Sequence, residues 1–304
     1  MIVGSLTAQQ LSHRLGGPGL RIRIGPLVVQ IRSRFERVKA GIRLHYAEHE
    51  LAEPGEFADF RVSVTPSQGV RRFIAPTAVF QLDGASPFKP LPARQVFPLL
   101  EWGLNWCVAM YCHQYLMIHA AVLERNGRSL VLPAPPGSGK STLCAALVAR
   151  GWRLLSDELA LIDTERTGIC SLPRPISLKD ESIALVRAFW PEAEMGPVVH
   201  DTMKGSVAHV RPPVQSVRLA TVATVPGWIV LPRYRRGAVT RLSPLTRGAA
   251  FMQLLENAFN YSMRGRRGFD ALADLVGASA CHEFSYGGDL GAATDTFEAL
   301  CTSA

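Results

Sequence analysis

The chain has 304 residues, of which 47% are hydrophobic and 19% are charged, and its formal net charge is +8. This composition predicts an ordinary globular protein with a sizeable core, made of one large domain or two modest ones. No apolar run reaches the roughly 18–20 residues that a membrane span needs, and the first residues lack the pattern of a secretory signal. We therefore expect a cytoplasmic protein without a membrane partner.

The cysteine spacing and the basic clusters exclude further classes. The six cysteines show no paired C-x-x-C spacing, which favours reduced thiols. The arginine clusters RYRR, 233–236, and RGRR, 264–267, are short and typical of a solvated basic face rather than of a nucleic-acid site. We expect no nucleic-acid partner, and the handling of nucleotides or phosphoproteins would explain part of the excess positive charge.

The first hundred residues predict a small α+β unit. LRIRI, 20–24, alternates apolar and basic residues, as a half-buried strand does. Apolar residues at helical spacing predict a helix over 35–46, and further strands are expected at 57–64 and 78–82. The proline-rich segment 86–98 cannot be the interior of a helix or strand. It therefore predicts a boundary between two domains, residues 1–95 and residues 96–304.

The second domain begins with a predicted helix over 96–115. Two strands follow, and Asn126-Gly127 between them is a strong hairpin signal. Helices are also expected at 245–261 and 289–300.

The segment that follows the second hairpin strand has the pattern of a phosphate-binding loop. In such a loop, consecutive backbone amides converge on phosphate oxygens at a helix N-terminus. The pattern G-x-x-x-x-G-K-[ST] stands here at residues 134–141 as A-P-P-G-S-G-K-S, with alanine in place of the first glycine. We call these residues the phosphate loop. The expected nucleotide contacts are Gly137, Ser138, Gly139, Lys140, Ser141 and Thr142.

The side chains of the phosphate loop and the acidic residues beyond it suggest distinct roles. Lys140 is expected to reach the β- and γ-phosphates, and the Ser141 hydroxyl to bind Mg²⁺. Asp157 and Glu158, the acidic pair, end the next predicted strand, RLLS, where a parallel neighbouring strand would set them beside the phosphate loop. One carboxylate could hold Mg²⁺ and the other could take a proton from an acceptor hydroxyl. The alternative is that Ser156 and Asp157 only cap a turn.

With these residues identified, the chain resembles the HPr serine kinase/phosphorylase family, and more closely its HPr-kinase-related kinase A branch. The resemblance rests on IHAAVLERNGRSLVLPAPPGSGKSTL, RGWRLLSDE, PRPISLK and KGSVAH. The match to the parent family covers about 118–160, and the branch, with EWGLNW and NAFNY, covers most of the chain. The parent family carries two aspartates at the acidic pair, so Glu158 is a departure, as is Ala134.

The resemblance implies an α/β fold with a P-loop kinase core, like that of phosphoenolpyruvate carboxykinase, and a small N-terminal α+β domain. It implies ATP and Mg²⁺ as cofactors. It gives Asp157 the place of the proton-transferring aspartate and sets His119, on the strand before the phosphate loop, near the acceptor or Asp157. Members of the branch are thought to act on peptide or protein hydroxyls, often beside PqqD-like carrier proteins.

Three basic residues beyond the acidic pair are further candidates. Arg174, Lys179 and Lys204 could neutralise charge on the transferring phosphoryl group or form an open basic rim for a docked chain. Taken singly, each is typical of a solvated surface. We expect mostly proline-punctuated loops in this part of the chain.

The leading hypothesis is an ATP-dependent serine kinase acting on a small protein or peptide, such as a carrier protein or a peptide that becomes modified, and compatible with a homo-oligomer. Its expected catalytic residues are Asp157, Lys140 and His119, and its expected metal ligands are Ser141, Asp157 and Glu158. One alternative is a small-molecule kinase or a carboxykinase-like enzyme. Another is a binding module that holds ATP to control a partner and turns it over negligibly, against which the acidic pair argues.

Overall fold

The computed structural model describes residues 1–53, 55–68, 75–135, 137–165 and 168–302. Within these ranges the chain has a mixed α/β fold with a five-stranded, an eight-stranded and a three-stranded sheet. In the same described ranges, no helix combines the length and the apolar character needed to cross a membrane.

The N-terminal layer is a sheet covered by helices. Its elements are α1 (Ala8–Gly16), β1 (Leu20–Ile24), β2 (Leu27–Ser33), α2 (Glu36–His45), β3 (Phe60–Pro66), β4 (Thr77–Leu82), β5 (Leu91–Pro92) and α3 (Val96–Tyr111). The strands lie in the order β1-β2-β3-β4-β5, with β2 and β3 parallel and the other neighbours antiparallel. Buried and less buried residues alternate along β1 and β3, so one face of the sheet packs into a core.

That core extends beyond the predicted domain boundary at residue 95. Leu100 and Leu104 of α3 belong to the same hydrophobic cluster as the buried face of the N-terminal sheet. Gly103 allows the close approach, because a Cβ there would lie 2.1 Å from the Phe80 ring. The division at residue 95 therefore stays a prediction, and α3 packs as part of the first layer.

The rest of the described chain forms the eight-stranded sheet, the three-stranded sheet and the remaining helices. Its elements are β6 (Tyr115–Arg125), β7 (Arg128–Pro133), α4 (Lys140–Ala149), β8 (Arg153–Ser156), β9 (Leu159–Asp163), β10 (Ile169–Cys170), β11 (Ile176–Lys179), α5 (Glu181–Phe189), β12 (Val199–Thr202), β13 (Gly205–Val210), α6 (Val214–Arg218), β14 (Val225–Tyr234), β15 (Arg241–Pro244), α7 (Arg247–Glu256), α8 (Tyr261–Gly277), β16 (Ala280–Tyr286) and α9 (Leu290–Thr302). The segment beyond residue 163, expected to be mostly loops, thus contains regular strands and helices.

The central sheet has the order β10-β9-β6-β7-β14-β16-β15, and β8 also pairs with β6. β6 and β7 form the predicted antiparallel hairpin. Asn126 and Gly127 have φ values of 53° and 80°, as a tight two-residue turn requires. β7, β14 and β16 run parallel, so the segments that follow them meet at one edge of the sheet. The phosphate loop follows β7 at this edge.

The strand pairing that places the acidic pair beside the phosphate loop differs from the predicted pairing. β8 does not pair with β7, because β6 lies between them, and both β8 and β9 pair antiparallel with β6. Asp157 and Glu158 form the bend between β8 and β9. The prediction of a parallel neighbouring strand is therefore wrong. The two carboxylates are placed beside the phosphate loop by a bend that interrupts the antiparallel pairing of β8 and β9 with β6.

Candidate active site

The backbone of the phosphate loop has the conformation of an open helix N-terminus. Gly137 and Gly139 have φ values of 87° and 83°, in the left-handed region that favours glycine. α4 begins at Lys140, and its N-cap residue makes no side-chain capping hydrogen bond. The first amide bonded within the helix is that of Leu143, which donates to Gly139 O at 3.0 Å. The preceding amides of the first turn are therefore available to an anionic ligand.

Two tyrosines at the ends of neighbouring strands hold the carbonyl groups of this loop. The backbone amide of Tyr234, the last residue of β14, donates to Ser138 O at 3.2 Å. The hydroxyl of Tyr286, the last residue of β16, donates to Gly139 O at 2.9 Å. A Cβ on Gly139 would lie 2.2 Å from that hydroxyl oxygen, so the position accepts only glycine without rearrangement.

Lys140 is buried, with 6% of its surface exposed, and does not face solvent. Its Nζ donates to the main-chain oxygen of Asp157 at 2.6 Å and lies 4.0 Å from Glu158 Oε2. The lysine thus lies against the acidic pair.

Glu158 lies between Lys140 and His119. His119 Nε2 is 3.2 Å from Glu158 Oε2, and its main-chain amide donates to Asn257 O at 2.8 Å. Burial by itself raises the pKa of the Glu158 carboxyl, but the hydrogen bond from His119 and the charge of Lys140 outweigh it, so the pKa lies below its ordinary value. Glu158 is therefore the member of the acidic pair that stays charged.

Asp157 has the opposite character. It is buried, and burial raises its pKa above the ordinary value; the charge of Lys140 offsets part of this effect and the charge of Glu158 adds to it. The main-chain amide of Ser177 donates to Asp157 Oδ2 at 3.1 Å. Among the described residues, Asp157 Oδ1 has no hydrogen-bond partner. A carboxylate of raised pKa with one oxygen left over is suited to accept a proton or to bind a cation.

The side chains fit a Mg²⁺ ion that takes few ligands from the protein. In the described ranges, no group of three or more His, Cys, Asp or Glu side chains is arranged to hold a metal. Mg²⁺ is commonly held by one or two carboxylates together with substrate phosphates and water. Asp157 offers its unpartnered Oδ1, and the Ser141 side chain is near enough to influence the pKa of that carboxyl. Ser141, Asp157 and Glu158 are the residues that could hold the metal on the phosphate loop, with one of the two carboxylates left to accept a proton.

Lys179 and Lys204 lie close enough to Glu158 for their charges to interact with it. Lys179 is among the charges that lower the pKa of Glu158. Burial lowers the pKa of Lys204, the Lys179 charge acts in the same direction, and Glu158 opposes both. Lys204 Nζ lies 5.2 Å from the centroid of the Trp102 ring. The structure thus brings together two of the three basic candidates around Glu158.

Arg174 corrects the predicted basic rim, because it is buried. Its guanidinium donates to Glu101 Oε2 at 2.7 Å, to Glu101 O at 2.8 Å and to Asn105 Oδ1 at 2.6 Å. The Tyr46 hydroxyl donates to Glu101 Oε1 at 2.7 Å. Arg174 thereby ties α3 to the segment before β11, whose Ser177 amide holds Asp157.

Sequence reasoning missed several residues that shape the site. Ser177 orients Asp157 through a backbone amide, which no side-chain pattern signals. Tyr286 is remote in sequence from the phosphate loop it contacts. Asn260, in the segment NAFNY, accepts a hydrogen bond from Met117 N at 3.0 Å and donates to Tyr115 O at 2.8 Å, which fixes β6 near His119. A polar residue between two apolar helical segments was the available signal for Asn260.

Comparisons with known proteins add little to this geometry. No family model matches the chain, and no curated protein matches it. Among solved structures, the chain is similar to the HPr(Ser) kinase/phosphatase from Coxiella burnetii, with 11% identity and a TM-score of 0.26. The alignment covers 62% of this chain and 99% of that chain. So distant a likeness carries no functional conclusion, and the function must be argued from the phosphate loop and the acidic pair.

Proposed function

We propose that the chain is an ATP-dependent kinase that transfers the γ-phosphoryl group to a serine hydroxyl of a small protein or peptide. The observation that carries the proposal is the position of the acidic pair. Two adjacent carboxyls, with pKa values shifted in opposite directions, lie against Lys140 at an uncapped helix N-terminus. Divergent pKa values in one site are typical of a division between a proton acceptor and a permanent charge.

Each residue then has a role that follows from its contacts. The amides of the phosphate loop and Lys140 bind the β- and γ-phosphates of the substrate ATP. Mg²⁺, when bound, neutralises charge on the phosphate oxygens. The oxygen of the acceptor hydroxyl forms a bond to the γ-phosphorus of ATP, and the bond between that phosphorus and the bridging oxygen breaks to release ADP. Asp157 accepts the proton that the hydroxyl loses. Glu158 remains ionised and orients His119.

The positive charge at the edge of the site supports a polypeptide as the acceptor. A cavity of about 20 Å³ lies beside Asp157, lined among others by Trp102, Ser177 and His209. That volume holds about one water molecule, and the lining includes residues of α3, the acidic pair and β11. A serine on a docked chain presents only a hydroxymethyl group. Lys179 and Lys204 supply positive charge at the edge of the site for the remainder of such a chain.

The test is a survey of acceptors with purified protein, Mg²⁺ and γ-labelled ATP. Small proteins and peptides encoded nearby are compared with free serine and other hydroxyl metabolites, and products are assigned by mass spectrometry. We expect phosphoserine on a polypeptide, and its loss in Asp157→Asn. Label on a metabolite alone would identify a small-molecule kinase. ATP binding without any labelled product would identify a binding module.

A further inference from the structure

Residues at the ends of β14 and β16 donate hydrogen bonds to the peptide units at residues 138–140. Ser138 O accepts from the Tyr234 amide, and Gly139 O accepts from the Tyr286 hydroxyl in addition to the Leu143 amide of α4. In a planar trans peptide the C=O and the N–H point in opposite directions. Fixing the carbonyl oxygens of Ser138 and Gly139 therefore also fixes the directions of the Gly139 and Lys140 amides. Both amides point away from the tyrosines.

These amides matter more here than in a phosphate loop with a full set of donors. Ala134 replaces the first glycine of the pattern, and prolines at 135 and 136 have no N–H. The remaining donors begin at Gly137. With fewer amides available, the orientation of each one contributes more to the binding of a phosphate group.

Tyr286 is rigidly placed for this task. Its side chain is fully buried, and its ring stacks on Phe284 with 5.4 Å between ring centroids. The Tyr234 ring meets it edge-on, also at 5.4 Å. The main-chain oxygen of Tyr286 accepts from the Arg235 amide at 3.0 Å. The hydroxyl therefore cannot move away from Gly139 without disturbing the ends of β14 and β16.

We propose that Tyr286 is a positioning residue for nucleotide binding: its hydroxyl holds the Gly139 carbonyl so that the Lys140 amide points at the bound phosphate. The Tyr234 amide does the same for the peptide unit before it. Tyr286 does not touch the ligand. The inference rests on the proposed nucleotide site. It adds a residue that orients the phosphate loop from the side opposite the bound phosphate.

The first test compares Tyr286→Phe with Tyr46→Phe. Both variants lose a buried hydroxyl that donates one hydrogen bond, but Tyr46 donates to Glu101 in the N-terminal layer. Titration calorimetry with ATP, ADP and adenosine gives the affinities, and urea unfolding without ligand gives the stability. We expect Tyr286→Phe to weaken ATP and ADP binding about threefold to tenfold and to leave adenosine binding unchanged. Tyr46→Phe should lower stability and leave all three affinities unchanged.

A second pair of variants keeps the proposal testable if Tyr286→Phe does not fold. Gly137→Ala and Gly139→Ala carry the same strain, since both positions have a positive φ. A Cβ at Gly137 meets nothing within 4 Å, whereas a Cβ at Gly139 meets the Tyr286 hydroxyl. We expect Gly139→Ala to bind ATP about tenfold more weakly than Gly137→Ala.

The outcomes separate this inference from the function on which it rests. If wild-type protein binds no ATP, the proposed nucleotide site is wrong, and the role of Tyr286 is wrong with it. If wild-type protein binds ATP and Tyr286→Phe binds it equally well, the role of Tyr286 alone is overturned. Equal ATP affinities of Gly137→Ala and Gly139→Ala would likewise overturn it. Weaker ATP and ADP binding with unchanged adenosine binding would support it.

Discussion

Replacing Arg174 by methionine should destabilise the fold strongly and leave nucleotide binding intact. The side chains of Arg174 and Glu101 are 9% and 4% exposed, and their closest atoms are 2.7 Å apart. Methionine keeps much of the side-chain volume but removes the guanidinium. Glu101 is then buried without a cationic partner, and the Tyr46 hydroxyl is the one hydrogen bond to its side chain that the described contacts retain.

The expected loss is about 3–5 kcal/mol of unfolding free energy, which is typical when one partner of a buried ion pair is removed. The hydrogen bonds of the guanidinium place the loss at the upper end of this range or above it. Arg174 donates to the side chain and main chain of Glu101 and to Asn105, and a hydrogen bond that involves a charged group contributes about 1.5–3 kcal/mol. Changing Glu101 to glutamine as well removes the unpaired charge. The double variant should therefore lose less stability than the sum of the two single variants.

Equilibrium unfolding in urea measures the effect, with ATP titration on the folded protein as the second readout. Lys204→Met is the control at an exposed lysine near the acidic pair, and it should change stability by no more than about 0.5 kcal/mol. We expect Arg174→Met to bind ATP as wild type does. Wild-type stability combined with a large loss of ATP affinity would return Arg174 to the phosphate-binding role that the sequence suggested and refute its assignment to the core.

Two further predictions concern the proton acceptor and the buried histidines. Asp157→Asn should keep ATP affinity and lose about 10²–10⁴ in transfer rate, because an amide cannot accept the acceptor's proton; single-turnover kinetics at an unchanged rate would make Asp157 a structural cap. Burial lowers the pKa of His45 from 6.5 to about 3 and that of His49 from 6.5 to about 4. The unfolded chain therefore binds more protons below pH 6.5, so stability is full above pH 6.5 and falls as the pH drops towards these values, by about 1.4 kcal/mol per histidine per pH unit. Free energies of unfolding from urea titrations, measured above pH 7 and then in steps from pH 6.5 down to about 5, give this slope, and a flat profile below pH 6.5 would contradict the buried neutral state.

Local patterns predicted the parts of the site that lie within one stretch of chain. The hairpin turn at Asn126 and Gly127, the glycines of the phosphate loop and the helix that starts at Lys140 all depend on short-range chemistry, and the structure shows them as predicted. His119 contacts Glu158 of the acidic pair, whereas the family resemblance placed it near the acceptor or Asp157.

Long-range pairing could not be predicted in this way. The order of strands depends on which edges meet, so the position of β6 between β7 and β8 was not visible in the sequence. Arg174 reads as a surface residue because its partner Glu101 is distant in sequence. The predicted helix over 245–261 ends with α7 at Glu256, because the segment 257–260 lies antiparallel beside β6 and bonds to its main chain.

The proposed function depends on the binding of ATP phosphates by the phosphate loop and Lys140. Titration calorimetry of wild type and Lys140→Met with ATP and Mg²⁺ tests it most directly, since methionine keeps the buried alkyl chain and removes only the charge that lies against the acidic pair. We expect one ATP bound per wild-type chain and no measurable binding by a folded Lys140→Met variant. Equal ATP affinity in the two proteins, or no binding by the wild type, would contradict it.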